Sequence, residues 1–324
     1  MKITSDLDEK DFEYFIKLFE SNISTLYPFS SKLTAKSIIE VHKNGSDPNG
    51  YFTKRKTIWK FINEENITIG FSVVTEKRGG SVKFGPSIVV KDYRNLGYGS
   101  TLRTLLEDHY RDAGFRKSYL TTGSTNTSAF SYLLKIGYKI ELHLKQHYTL
   151  KDDEIVLSKF LTSANSAKYD VPSLASSVIE DYGQHVVDYL KKYYEEIDSV
   201  FYHNLTKAIS PKFVKNEESF IKKNKVKFEV RDEKFFAVTS PKRGGCIKIS
   251  PLVFSGNEKN DEKNILDLLN HFDKVLFHKF YTFIPVDCTY DRKILEKCGF
   301  IIEGVFRGPY KAGVDMFIVS HFNS

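Results

Sequence analysis

Arg94-Asn95-Leu96-Gly97-Tyr98-Gly99-Ser100 joins an apolar, β-branched run, Ser81 to Val90, to a run in which Leu102, Leu105, Leu106 and His109 fall at three-and-four spacing. That spacing predicts a helix capped by Ser100 or Thr101 and ended by Gly114, where a left-handed residue would close the last turn. Two glycines one residue apart, directly ahead of a helix, let the backbone approach a ligand and turn several amide N–H groups toward one anion. The positive end of the helix dipole adds to that field. A diphosphate is the natural occupant of such a turn. The dinucleotide fingerprint, which needs three glycines inside a parallel strand-helix-strand unit, and the P-loop, which needs Gly-Lys-Ser/Thr, both fail to fit.

Downstream, the pattern predicts a strand at Ser118 to Thr122, a helix at Thr127 to Lys135 stopped by Gly137, and strands at Tyr138 to Leu144 and Glu154 to Phe160. Upstream, runs at Thr57 to Ile62, Ile67 to Thr75 and Ser81 to Val90 are separated by Asn63-Glu64-Glu65-Asn66 and Lys77-Arg78-Gly79-Gly80. They predict an antiparallel meander. Glu9 to Ser21 and Thr34 to His42 carry helical periodicity. The resulting order is helices, three strands, helix, strand, helix, two strands. It predicts an α/β (α+β) fold with a mixed central sheet flanked by helices.

Asn126, Ala129 and Gly137-Tyr138 follow Arg94-x-x-Gly97-x-Gly99 after the intervening strand. With them, Val82 to Ile140 resembles the GNAT superfamily of acetyl-CoA-dependent acyltransferases, and the likeness covers nearly all of residues 1 to 160. The resemblance implies that the backbone amides of Leu96, Gly97, Tyr98, Gly99 and Ser100 hold the coenzyme pyrophosphate, with Arg94 supporting the loop or the phosphates and Asn95 also among the coenzyme-binding residues. It also implies that Ile88, Val89 and Val90 offer strand edges to the pantetheine arm, that Asn126 contacts it from the far side, and that the thioester carbonyl sits near the amide of Val90 or its neighbour. Acetyl-CoA is then a co-substrate, and no metal is called for. The implied reaction is direct attack by an acceptor amine on the thioester.

The family's usual acid, a Tyr four residues after the Ala, is Leu133 here. Tyr132 lies about 100° round the helix and can substitute if the helix starts one residue later, as can Ser131 or a water. The strand Ser81 to Val90 carries no carboxylate to act as base. The remaining base candidates are Glu76, Glu141, His143 and His147, with Tyr148 nearby; imidazole titrates in the right range for proton transfer near neutrality. Tyr132, Glu141 and His143 are the catalytic expectations. A non-catalytic acyl-CoA-binding or regulatory module with a C-terminal interaction domain is the competing one.

The chain repeats itself. Lys77-Arg78-Gly79-Gly80-Ser81-Val82-Lys83-Phe84-Gly85-Pro86 returns 165 residues later as Lys242-Arg243-Gly244-Gly245-Cys246-Ile247-Lys248-Ile249-Ser250-Pro251, with six of ten positions identical. Gly137-Tyr138, Glu141, Tyr148, Asp153, Ser158 and Phe160 return at an offset of 162 as Gly299-Phe300, Glu303, Tyr310, Asp315, Ser320 and Phe322. Two tandem domains are expected, at residues 1–162 and 163–324, joined through the polar stretch Thr162 to Ala167. In the second copy the loop is replaced by Ser255-Gly256-Asn257-Glu258-Lys259-Asn260-Asp261-Glu262, and Cys288 stands in the place of Asn126. Glu258, Asp261 and Glu262 would repel a pyrophosphate, so the second copy is expected to have lost coenzyme binding while keeping the fold.

The composition fits this reading. A hydrophobic fraction of 41% and a charged fraction of 27% make the chain neither disordered nor membranous. The net charge of +7, divided +5 and +2 between the halves, is interleaved rather than concentrated, which argues against nucleic acid as a partner. The basic stretch Lys222 to Lys227 is expected to be the solvated end of a helix. Cys246, Cys288 and Cys298 have no pairable or metal-like spacing, and the acidic start does not resemble a signal peptide. A cytoplasmic monomer or homodimer acting on a small-molecule or peptide amine is expected. The acceptor would be held by Phe19 to Pro48, and polyamines are disfavoured because that stretch has no carboxylate cluster.

Overall fold

The computed structural model describes residues 1–23, 31–45, 51–162, 183–208, 226–230, 234–242, 245–272 and 274–323. They fall into two compact units. The first holds Met1–Leu120 and residues 158–162; the second holds Thr121–Leu157 and the described residues from 183 on.

The first unit begins with β1 (Lys2–Thr4), α1 (Glu9–Ile23) and α2 (Ser31–Lys43). β2 (Thr53–Ile62), β3 (Thr68–Lys77), β4 (Ser81–Val89), α3 (Tyr98–Asp112) and β5 (Lys117–Gly123) follow. β1 to β4 pair antiparallel in sequence order, and β5 joins β4 in parallel. The first turn of this meander works because the Asn63 side chain accepts the amides of Glu65 and Ile67 while Asn66 takes φ 61°. Both sheet faces are covered, so the strands are apolar on both sides. Phe12, Phe15, Phe19 and Ile23, one stripe of α1, pack with Ile38 and Ile39 of α2 on Ile58, Phe71, Val73 and Ile88. On the other face Leu102, Leu106 and Tyr110 of α3 meet Trp59, Phe61, Val74 and Phe84. Each such side chain contributes about 1.5–3 kcal/mol by leaving water.

α3 starts at Tyr98, three residues before the start that a Ser100 cap would give and four before that of a Thr101 cap. Its N-cap is Gly97, at φ 84° and with no side-chain cap. It ends as expected: Gly114, at φ 84°, donates to Arg111 O, and Phe115 donates to Tyr110 O, which is a Schellman closure.

The second unit contains α4 (Thr127–Lys135), β6 (Lys139–Thr149), β7 (Asp152–Phe160), α5 (Gln184–Tyr193), α6 (Ser199–Ala208), β8 (Val226–Val230) and β9 (Phe235–Pro241). It continues with β10 (Cys246–Val253), α7 (Glu258–Asn270), β11 (Lys279–Pro285), α8 (Thr289–Lys297), β12 (Ile301–Phe306) and β13 (Met316–Phe322). Its strand order is β7-β6-β12-β13-β11-β10-β9-β8. The elements from α4 to most of β7, which the repeat assigns to the first copy, thus cluster with the second half of the chain.

Backbone hydrogen bonds recur at the offset of 162. Asn126 N donates to Gly123 O as Cys288 N does to Pro285 O; Ser124 N donates to Asp153 O as Val286 N does to Asp315 O; Leu161 N donates to Arg116 O as Asn323 N does to His278 O. Gly137 and Gly299 close α4 and α8 by the same Schellman pattern. The repeated glycine turn has a physical use: Gly80 O accepts the Arg116 amide and Gly245 O the His278 amide, each just ahead of the parallel strand. A Cβ on Gly245 would lie 2.9 Å from Leu276 O, too close for any other residue without movement.

Arg243 and Gly244 of the repeated turn, Ser163 to Ala167 of the expected linker, Lys222 to Lys225 of the basic stretch, and 24–30 and 46–48 of the expected acceptor region lie outside the described residues. Val226 and Lys227 open β8 rather than ending a helix. Among the described residues no helix is long and apolar enough to cross a membrane.

Candidate functional site

Beyond Val89 the ladder extends by one bond, from Val90 N to Ile69 O at 3.0 Å, so the Val90 amide expected to face a thioester carbonyl is already engaged. A single tight turn, Lys91–Tyr93, follows, closed by Tyr93 N to Val90 O and Arg94 N to Lys91 O. Arg94 Nε donates to Val89 O at 2.9 Å, and its Nη2 donates to the Asn22 side chain. Arg94 therefore supports the loop, and Asn22, which sequence reasoning missed, supports Arg94. Asn95 at φ 62° and Gly97 at φ 84° then turn the chain twice through the left-handed region. Gly97 O accepts the amides of Ser100 and Thr101. Among the described residues, no acceptor takes the amide N–H of Asn95, Leu96, Gly97, Tyr98 or Gly99. Asn95, Leu96 and Gly97 are exposed, Leu96 to 64%, while Tyr98 and Gly99 are half-buried. Consecutive unbonded amides at the start of a fifteen-residue helix are donors of the kind that can receive an anion.

Two features shape the strand leading to this turn. Ser72 pairs with Ser87 and Val74 with Phe84, so Gly85 and Pro86 of β4 oppose the single residue Val73: a bulge. The parallel register of β4 with β5 reaches only Lys83–Tyr119, immediately before it. Ile88 points into the core against α1, so its side chain is unavailable to a ligand, whereas Val89 is half-exposed. Tyr93 and Tyr98 flank the turn edge to face at 5.8 Å.

The expected proton-transfer residues separate clearly. Glu76 sits beside the Tyr110 hydroxyl at 3.5 Å near the C-terminal end of α3, about 16 Å along the helix from Gly99. Burial raises its pKa, but it is remote from the turn. In the second unit Leu133, at the family's Tyr position, is buried, and Tyr132 beside it is half-buried. Asn126 is the N-cap of α4, its side chain accepting the Ala129 amide at 3.3 Å. His147 forms a nearly buried pair with Glu154 at 3.2 Å, a packing role. The Tyr148 side chain lies outside the described set.

His143 is different. Its Nε2 lies 2.7 Å from Asp153 Oδ2, and its side chain is 53% exposed. The other oxygen of Asp153 accepts the Gln146 amide at 2.7 Å, a bond repeated in the second half by Asp315 and Gly308. The aspartate is thus a fixed part of the turn, to which His143 is added; its counterpart at 162 residues is Val305. Glu141 lies on the same strand, and its counterpart Glu303 is structural: it pairs with Lys279 at 2.7 Å and accepts from the Lys145 amide and the Ser320 hydroxyl.

In the second half the corresponding turn is filled from within. Asp261, which falls on Gly99 at an offset of 162, is fully buried and accepts the amides of Ser255 at 2.9 Å and Gly256 at 3.0 Å and the hydroxyl of Tyr290 at 2.7 Å. Glu258 pairs with Lys293 and Lys297, whose hydrogen bonds bring its pKa down to about 2. Cys288 is the N-cap of α8, and its side chain makes no capping bond to the helix backbone. Asp291, on the Ala129 position, is buried against the Tyr189 hydroxyl at 3.1 Å. Burial and its contact with Asp291 push the Cys288 thiol up to about 12, the opposite of an activated nucleophile. Among the described residues no group of His, Cys, Asp and Glu is placed to hold a metal ion.

Residues 32–138 match the model of the acetyltransferase (GNAT) family. No curated protein sequence matches the chain. Similar solved structures include an aminoglycoside 6′-N-acetyltransferase complexed with coenzyme A, at 15% identity and TM-score 0.40, with 51% of this chain matched to 99% of that one. The ribosomal-protein-S18-alanine N-acetyltransferase of Escherichia coli matches at 16% identity and TM-score 0.39, covering 52% of this chain and 98% of its own. The aminoglycoside 6′-N-acetyltransferase of Enterococcus faecium matches at 16% and 0.38, covering 51% and 99%.

Proposed function

We propose that the chain is an acetyl-CoA-dependent N-acyltransferase whose coenzyme turn is Arg94 to Ser100. The observation that carries the proposal is the row of unbonded amides from Asn95 to Gly99 at the start of α3, inside the segment that matches the acetyltransferase family. The acceptor nitrogen would attack the thioester carbonyl carbon; the carbon–sulfur bond breaks, the coenzyme leaves as thiolate, and the nitrogen loses a proton. His143 is the preferred proton acceptor, because Asp153 holds its imidazole and is itself held by Gln146. Glu141 becomes a structural residue by analogy with Glu303. Tyr132 is retained only as a substitute acid, and a thiolate of low basicity can depart without one.

The chain is read as two tandem copies, 1–162 and 163–324, of which only the first binds coenzyme. Support comes from the backbone bonds shared at 162 residues and from the Asp261 carboxylate, which takes two turn amides for itself. A small-molecule or peptide amine is the proposed acceptor, and the three free thiols suit a cytoplasmic setting.

The test is release of coenzyme thiol from acetyl-CoA in the presence of a mixed panel of amines. Turnover with any of them supports the enzyme. Tight acetyl-CoA binding without turnover supports the second reading, a regulatory acyl-CoA-binding module, which the buried Leu133 in place of a tyrosine favours.

A further inference from the structure

Arg94 is the first residue of the coenzyme turn, yet both ends of its guanidinium are occupied by protein. Nε donates to Val89 O, the last carbonyl of β4, and Nη2 donates to Asn22 Oδ1. Asn22 is itself oriented. Its Nδ2 donates to Leu18 O at 2.7 Å and to Ser21 Oγ at 3.0 Å, which leaves Oδ1 facing Arg94. α1, which carries Asn22 in its last turn, is anchored by Phe12, Phe15, Phe19 and Ile23 on the same core as Ile88. The turn is therefore held on both sides, by the end of β4 and by the end of a helix packed on the core. The amides that follow, Asn95 to Gly99, have no such brace of their own.

We infer that Asn22 is a positioning residue for the coenzyme turn: by holding the Arg94 guanidinium it fixes the turn in the shape that presents its amides to a diphosphate. The inference rests on the coenzyme reading above. Preorganisation of this kind shows itself in affinity, because a loose turn must be ordered when the ligand binds. Asn22→Ala should weaken acetyl-CoA binding about fivefold, as expected for one hydrogen bond to a charged partner at a partly exposed site. Arg94→Ala should weaken it at least as much.

The experiment is a double-mutant cycle read by calorimetric titration of acetyl-CoA into the full-length chain, alongside thermal unfolding. If Asn22 acts through Arg94, Asn22→Ala costs about fivefold in the wild-type background and nothing further in Arg94→Ala. Equal losses in both backgrounds, whether from a separate contact or from damage to α1, overturn the inference, as does an unchanged affinity in Asn22→Ala alone. Wild-type protein that fails to bind acetyl-CoA overturns the coenzyme reading and this inference together; binding without coupling overturns this inference alone.

Discussion

Lys279 Nζ lies 2.7 Å from Glu303 Oε2, with the two side chains 0% and 3% exposed, and together they grip one residue of a neighbouring strand. Glu303 Oε1 accepts the Lys145 amide at 2.7 Å, and Lys279 donates to the Lys145 carbonyl at 2.7 Å. His278 Nε2 lies 2.8 Å from the next carbonyl, that of Gln146. β6 and β12 share the ladder pair Leu142–Gly304, and the ion pair continues their union where side chains take over from backbone. The hairpin that carries His143 is thereby fastened to the strands of the second half.

Breaking this pair should be costly. Lys279→Met leaves the Glu303 carboxylate buried without its cation, which costs about 3–5 kcal/mol, whereas removing both charges together costs less. Urea unfolding should show Lys279→Met well below wild type and Lys279→Met with Glu303→Leu between them. A single mutant of wild-type stability would refute the buried-pair account.

Gly97→Glu should abolish acetyl-CoA binding and leave the chain folded. No atom lies within 4 Å of the position a Cβ would take, but φ of 84° makes any side chain there cost about 1–2 kcal/mol. The carboxylate would point where the amides expect an anion. Gly97→Ala isolates the backbone cost: its affinity should fall modestly, while that of Gly97→Glu falls beyond detection in calorimetry.

Much of this was legible in the sequence, and the losses have a common cause. Gly114 and Gly137 are legible as helix stops because a left-handed residue is a local demand met by glycine, whereas Gly97 is legible only as backbone that can approach a ligand; all three have positive φ. The bounds of α4 are legible in the sequence, since the helix and the glycine that stops it all lie between Thr127 and Gly137. The start of α3 was misplaced because Gly97 caps without a side chain, leaving Ser100 as the visible signal. Asn22 and Asp153 were missed as partners of Arg94 and His143 for a different reason. Asn22 lies 72 residues from Arg94, and nothing local marks either contact. Only the recurrence of Asp153 as Asp315, visible in the repeat, hinted that it had work in the turn.

Asp153 also predicts a pH dependence. Burial raises its pKa, but the Gln146 amide and His143 outweigh that, and the folded-state value is lowered. The stability it contributes is therefore complete above the ordinary aspartate range, near pH 4, and is lost as pH falls through the lower folded value. The urea midpoints of wild type and Asp153→Asn should differ at neutral pH and converge in acid. If His143 accepts the substrate proton, the same variant lowers kcat while its affinity for acetyl-CoA stays the same.

The stoichiometry of coenzyme binding follows from Asp261. A diphosphate entering the second turn would have to displace a buried carboxylate that already receives the amides of Ser255 and Gly256 and the hydroxyl of Tyr290. It would also meet Glu258, held ionised by Lys293 and Lys297. The internal anion needs no ordering from solution, so it wins over a free ligand. Titration should give one acetyl-CoA per chain, and Gly97→Glu should reduce that to none. Asp261→Ala should destabilise the fold by about 1–3 kcal/mol, because amides and a phenol lose their acceptor, without changing the single site. Two sites per chain in the wild type would show that the carboxylate does not close the second turn.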